Sequence, residues 1–232
     1  MGDSASSTLE GSIDAVVFDY DDTLADTLPA RVEAMRLTFA EVGLLDDPGE
    51  FVETMRGSPY RPVFDEMTSA LGWDLDLMAV YLRHYWSKGP GFVYLFDGVR
   101  EMLDTLQQRG MTMGILTSKS HDILVEGRRA GTVVEAEQLG IDGHITYIVG
   151  FEDVTHHKPH PEGLERLMAR MAVTPTRTLV VGDSWSDVEV AKKGGCWSCL
   201  ATWGLNDPTE QISRASPDFT AGTPAQLLSL LA

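Results

Sequence analysis

Cysteine is scarce in this chain of 232 residues, and the only two, Cys196 and Cys199, imply no disulfide framework. Basic residues are also few: 18 Lys and Arg stand against 35 Asp and Glu, for a net charge of −17. A field of that sign repels phosphate polymers, so neither nucleic acid nor an anionic membrane is an expected partner. No apolar run approaches the roughly 18 residues that a membrane-spanning helix needs. The first residues lack the basic and apolar stretches of a signal peptide, so a cytoplasmic location is expected. Residues 1–12 read as a disordered tail, and beyond them there is neither an internal repeat nor a low-complexity segment. What remains is ordinary globular composition, 43% hydrophobic and 23% charged, enough for one domain carrying a smaller insert.

Three carboxylates fall within four residues in Phe18-Asp19-Tyr20-Asp21-Asp22-Thr23-Leu24. They follow Ile13 to Phe18, a short Val- and Ile-rich run with the character of a buried strand. Carboxylates crowded at a strand end repel one another and resist desolvation, and a cation would offset that cost. Asp-x-Asp-x-Thr therefore points to a hard, oxygen-liganded metal such as Mg²⁺ beside a carboxylate free for chemistry. An acidic turn after an edge strand is the plainer alternative.

From Leu24 to about Pro90 the pattern is helical throughout. Pro29 suits a helix start, Val32, Met35, Phe39 and Val42 share a face, and Gly43 closes it. Two more helices are expected over Arg61 to Leu71 and Leu75 to Trp86, with Trp73, Tyr81, Tyr85 and Trp86 as core. After Gly89-Pro90-Gly91 strands and helices alternate. Strands are expected over Met111 to Leu116, Ile145 to Val149, Thr178 to Val181 and Trp197 to Thr202. Helices are expected from Val99 to Arg109, capped by Asp97, through the stretch up to Leu139, over Glu162 to Met171, and up to Lys193. This alternation specifies an α/β fold: a Rossmann-like parallel sheet with helices on both faces. The core then comprises residues 13–23 and 96–232, and residues 24–95 form a helical cap inserted after the first strand.

Polar residues gather at one edge of that expected sheet. Asp19 and Asp21, Thr117 and Ser118, Lys158, and Asp183 with Asp187 all lie at or just beyond carboxyl ends of strands, where open parallel sheets bind ligands. In this order and at these places the chain resembles the haloacid dehalogenase superfamily, within it the helical-cap phosphatases such as phosphoglycolate phosphatase. Phe18 to Leu24 is similar to the first motif, Leu116-Thr117-Ser118-Lys119 to the second, Lys158-Pro159-His160-Pro161 to the third, and Gly182 to Asp187 to the fourth. The resemblance implies that Asp19 is a nucleophile forming an aspartyl phosphate. It implies that Asp21 protonates the leaving group and then activates water, and that Thr117, Ser118 and Lys158 hold the phosphoryl oxygens. It further implies Mg²⁺ held by Asp19, the Asp21 carbonyl and Asp183, with Asp187 as ligand or support. Crowding by other acids makes Asp21 a candidate for a raised pKa. The implied substrate is a small phosphorylated metabolite, chosen in proteins of this kind by the cap; Arg56 and Arg61, flanking a Gly/Pro-containing stretch, are the candidate cations.

Asp22 stands where this family commonly has Gly, and an outward side chain is expected there. His156, His157 and His160 flank Lys158 and suggest a zinc site, but three histidines in a polar loop with no Cys or spaced acidic partner read as solvated surface; Cys196 and Cys199 read as core. The resemblance implies that Asp21, absent from the family's dehalogenases, argues against carbon–halogen cleavage, and that Lys88, the only lysine between Leu24 and Asp97, sits poorly for the cap Schiff base of its phosphonate-cleaving members. A phosphomutase of the same fold remains an alternative. From other classes come a non-catalytic phosphate-binding protein and a receiver-like signalling domain, whose acceptor would fall after the third strand, where the chain reads Gly150-Phe151-Glu152-Asp153.

Overall fold

Short, mostly buried segments build the six strands of one sheet: β1 (Ala15–Phe18), β2 (Thr112–Leu116), β3 (Tyr147–Val149), β4 (Thr178–Gly182), β5 (Trp197–Ala201) and β6 (Phe219–Ala221). In this computed structural model, which describes residues 13–55 and 60–231, their order is β6-β5-β4-β1-β2-β3 and every neighbouring pair is parallel. The expected tail and Arg56 lie outside the described residues. The chain divides into two compact units, one of residues 13–25, 95–123 and 131–231, the other of residues 26–94 and 124–130.

In the first unit β1 and β4 are buried along their whole length, as strands covered on both faces must be. Ala15 and Val17 face a cluster with Leu164, Leu167, Met168 and Met171 of the helix Glu162–Met171, and with Val190 and Ala191 of Trp185–Lys193. The helix Val99–Gln108 buries Val99, Met102, Leu103 and Leu106. It starts from Gly98 at φ 81°, so the expected cap Asp97 stands one residue too early. Cys196 and Cys199 are buried, unbonded to each other, and burial alone pushes both thiols up to about 12, which keeps them inert core residues.

Other elements of this unit also depart from expectation. The stretch after Lys119 is not one helix: Ile123–Val125 and Arg128–Ala130 pair as a hairpin, and only Thr132–Leu139 is helical. Glu126 and Gly127 turn the chain with φ of 50° and 77°, the left-handed pair that a two-residue hairpin requires. The tip of this hairpin belongs to the second unit. The edge strand β6 was also unforeseen, being three residues long.

The second unit carries the helices Leu28–Val42, Pro48–Thr54, Tyr60–Leu71 and Leu77–Lys88. Pro29 lies in the first turn of its helix, and Gly43, at φ 76°, ends it with its N–H on the Phe39 carbonyl. A chain of aromatic contacts makes the core: Phe39–Phe51 at 5.4 Å between centroids, Phe51–Phe64 at 6.1 Å, Tyr60–Tyr81 at 5.2 Å and Tyr85–Trp86 at 4.9 Å. Tyr81, Tyr85 and Trp86 are buried as expected, whereas Trp73 is only half-buried. Arg61 lies in the helix Tyr60–Leu71, 2.6 Å from Asp76 and 3.7 Å from Asp65.

Candidate active site

Register brings the polar clusters together. Phe18 of β1 pairs with Ile115 of β2 and Val181 of β4, so Asp19, Thr117 and Asp183 leave three adjacent strands at the same edge. β1 lies where the strand order reverses, the place at which parallel sheets open a crevice. The Asp19 N–H bonds the Val181 carbonyl at 2.8 Å, and the Thr117 N–H bonds that of Val149 at 3.0 Å, fixing both residues to the sheet.

Lys158 is the hub. Its Nζ lies 2.5 Å from Asp19 Oδ1, 2.7 Å from Asp187 Oδ1 and 3.2 Å from the Leu116 carbonyl, and its side chain is buried. Asp187 is oriented on its other oxygen by the N–H and Oγ of Ser184, at 3.1 and 2.6 Å. Gly182 lets it come so close, since a Cβ there would sit 2.3 Å from the Asp187 carboxyl carbon. Ligand atoms of Asp19, Asp183 and Asp187 lie within 4.8 Å of one another. These three carboxylates share one ammonium. Burial pushes Asp19 up to about 7, opposed by Lys158 and reinforced by Asp187 and Asp21. Burial, then Asp19 and Asp187, drive Asp183 well above the usual carboxylate range. Burial works to lower Lys158, but Asp187 and Asp19 outweigh it and raise it. An acidic, oxygen-only cluster left with excess negative charge fits a hard dication.

Asp21 is held from another side. Lys119 Nζ lies 3.3 Å from Asp21 Oδ1 and 2.7 Å from Oε2 of Glu135, a fully buried acid in the first turn of the helix Thr132–Leu139. The Lys119 ammonium also sits 5.3 Å from the centre of the Tyr20 ring. Burial lowers Lys119, yet Asp21, Glu135 and Tyr20 together raise it, so it stays charged. Sequence reasoning named Lys119 only as part of a motif and passed over Glu135; an acid followed by Ala136 in a helix otherwise rich in Val was the available signal. The side chain of Thr117 is buried and accepts the Lys119 N–H at 3.1 Å, while Ser118 is exposed.

Asp22 corrects an expectation: its side chain is buried, not outward, and its φ is 59°. A left-handed residue here explains why Gly is the common choice, and Asp is among the few others that tolerate it. The loop is braced by Trp203, whose indole N–H donates to the Thr23 carbonyl at 2.8 Å, and by Gly204, where a Cβ would lie 2.3 Å from the Asp22 carbonyl oxygen. Gly204→Ala is therefore expected to displace the Asp19–Asp21 loop and cost about 1–3 kcal/mol of stability as an overpacked contact. Thermal unfolding checks it; an unchanged melting temperature would mean the loop has room to give.

The model of the family described as haloacid dehalogenase-like hydrolase matches residues 16–201. A phosphoglycolate phosphatase of Vibrio parahaemolyticus is 30% identical over 95% of this chain and 96% of its own. The pyrophosphatase PpaX of Oceanobacillus iheyensis is 29% identical over 90% of this chain and 92% of its own. Among solved structures, one from Haemophilus somnus described as a predicted phosphoglycolate phosphatase superimposes with a TM-score of 0.78, at 22% identity, over 96% of this chain and all of its own. The chain belongs to the haloacid dehalogenase-like hydrolase family.

Proposed function

We propose that this enzyme hydrolyses a small phosphomonoester through an aspartyl phosphate on Asp19. The observation that carries this reading is the Asp19 carboxylate buried against the Lys158 ammonium at 2.5 Å, with Asp183 and Asp187 beside it. A carboxylate attacks phosphorus only when its own charge and that of the phosphoryl oxygens are screened. Lys158 supplies one positive charge there, and Thr117 and Ser118 supply hydroxyl and backbone donors. Asp19, Asp183, Asp187 and the Asp21 carbonyl would hold Mg²⁺, which when bound adds the charge neutralisation that one ammonium does not provide.

In the first step a carboxylate oxygen of Asp19 bonds to phosphorus, the ester P–O bond breaks, and Asp21 gives its proton to the departing oxygen. In the second, Asp21 takes a proton from water, the water oxygen bonds to phosphorus, and the Asp19–phosphate bond breaks. Lys119, anchored on Glu135, keeps the Asp21 carboxylate in place between the two steps.

Relatives named for phosphoglycolate and for pyrophosphate make those two the first substrates to try. Sugar phosphates and nucleotides complete the screen, and phosphoryl transfer without phosphate release would favour the phosphomutase reading. We place the enzyme in the cytoplasm; among the described residues no helix is long and apolar enough to cross a membrane. Arg56 and Arg61 are the proposed determinants of substrate choice. Asp183→Ala is expected to raise the Mg²⁺ concentration needed for half-maximal turnover at least tenfold. An unchanged requirement would remove Asp183 from the metal site.

A further inference from the structure

Six residues after the histidine pair begins, the helix Glu162–Met171 opens with an acid that is already committed to that pair. Glu162 Oε2 lies 3.0 Å from His156 Nδ1 and accepts the His156 N–H at 3.0 Å. Its other oxygen is pinned by the Thr155 N–H at 3.2 Å and by Arg166 at 2.9 Å. The Glu162 N–H in turn donates to His160 Nδ1 at 3.2 Å, so that nitrogen is the acceptor in this bond. The two imidazole rings lie 4.6 Å apart between centroids, and one ligand atom from each of the three residues falls within 4.8 Å of the others. Both rings are open to solvent.

We propose that His156, His160 and Glu162 form a binding site for a transition-metal dication of the zinc class, separate from the carboxylate cluster around Asp19. The donor set decides the metal. Two imidazoles and one carboxylate match zinc, which takes nitrogen and oxygen at about 2.0–2.2 Å in a tetrahedron, whereas Mg²⁺ prefers oxygen and its own waters. In a tetrahedron such bonds set neighbouring ligand atoms roughly 3.3 Å apart, close to the His156–Glu162 separation already present. The ion takes the place of the His156–Glu162 hydrogen bond, and a water completes the coordination. The Thr155 and Arg166 donors act on Glu162 as outer partners do in metal sites, holding a ligand in its binding orientation. Glu162 is an anion across the working range, because the His156 and Thr155 N–H groups hold it at about 2 against a weak opposing effect of burial.

Placement gives the site a consequence. His156 and His160 bracket Lys158, two residues to either side, so an ion there ties down the segment whose lysine meets Asp19. The proposal does not depend on the phosphatase reading, since it concerns other side chains and other chemistry.

Calorimetric titration of the full chain with Zn²⁺, in excess Mg²⁺ to occupy the Asp19 cluster, tests it. One zinc per chain is expected, with affinity falling at least tenfold in His156→Asn and again in His160→Asn. Both rings are exposed, so melting temperatures of the variants without zinc should match the parent. Absence of zinc binding above the Mg²⁺ background, or an affinity in both variants equal to the parent's, would overturn the site.

Discussion

Replacing Asp21 with Asn should leave the first half of the reaction running and slow the second by about 10²–10⁴, the usual worth of a positioned proton acceptor. With an aryl phosphate, whose leaving group needs little protonation, the variant should release one equivalent of phenol in a burst and then almost nothing. The geometry explains why the substitution is selective. Asn keeps the backbone carbonyl and the side-chain shape, and Lys119 at 3.3 Å still finds an oxygen to bond. What is lost is the capacity to give a proton to the leaving group, which an aryl oxide does not need, and to take one from water. A variant as fast as the parent in the steady state would remove Asp21 from the second step.

Lys158→Met should destabilise the metal-free protein by about 3 kcal/mol, because removing one partner of a buried ion pair leaves the other charge uncompensated. Here the uncompensated charges are Asp19 and Asp187, bonded to Lys158 at 2.5 and 2.7 Å, with Asp183 alongside. Addition of Mg²⁺ should recover most of that loss by mass action, about 2.7 kcal/mol at a hundredfold excess over the dissociation constant. Turnover should stay low, since the phosphoryl oxygens have lost their ammonium. Urea unfolding with and without Mg²⁺ reads both effects, and a variant as stable as the parent in chelator would show that the three acids do not need the lysine.

The carboxyl-edge cluster was legible because it rests on strong regularities. Short apolar runs that end in Asp19, Thr117 and Asp183 name their strands, and a parallel sheet sends all three to one edge. Five of the six strands and the helical character of residues 28–55 and 60–88 follow from periodicity and from stops such as Gly43. The hairpin at residues 123–130 was hidden because Glu126-Gly127 is not among the strong turn pairs, and Val, Leu and Ala suit a helix as well. β6 was hidden by being three residues at an edge. The buried side chain of Asp22 needed its left-handed φ to be known, and the Lys119–Glu135 pair needed tertiary contact across 16 residues of chain. The three histidines around Lys158 read as solvated surface, which holds for His156 and His160 but not for His157, half-buried and stacked on Phe151; only the folded loop brings His156 and Glu162 to 3.0 Å.

The central claim is that phosphate passes through a bond to Asp19. Mass analysis of peptides from the Asp21→Asn variant, quenched in acid after exposure to an aryl phosphate, tests it most directly. Added phosphate is predicted on the peptide carrying Asp19, with neither label nor turnover in Asp19→Asn. Phosphate on another peptide, or turnover persisting without Asp19, would contradict it.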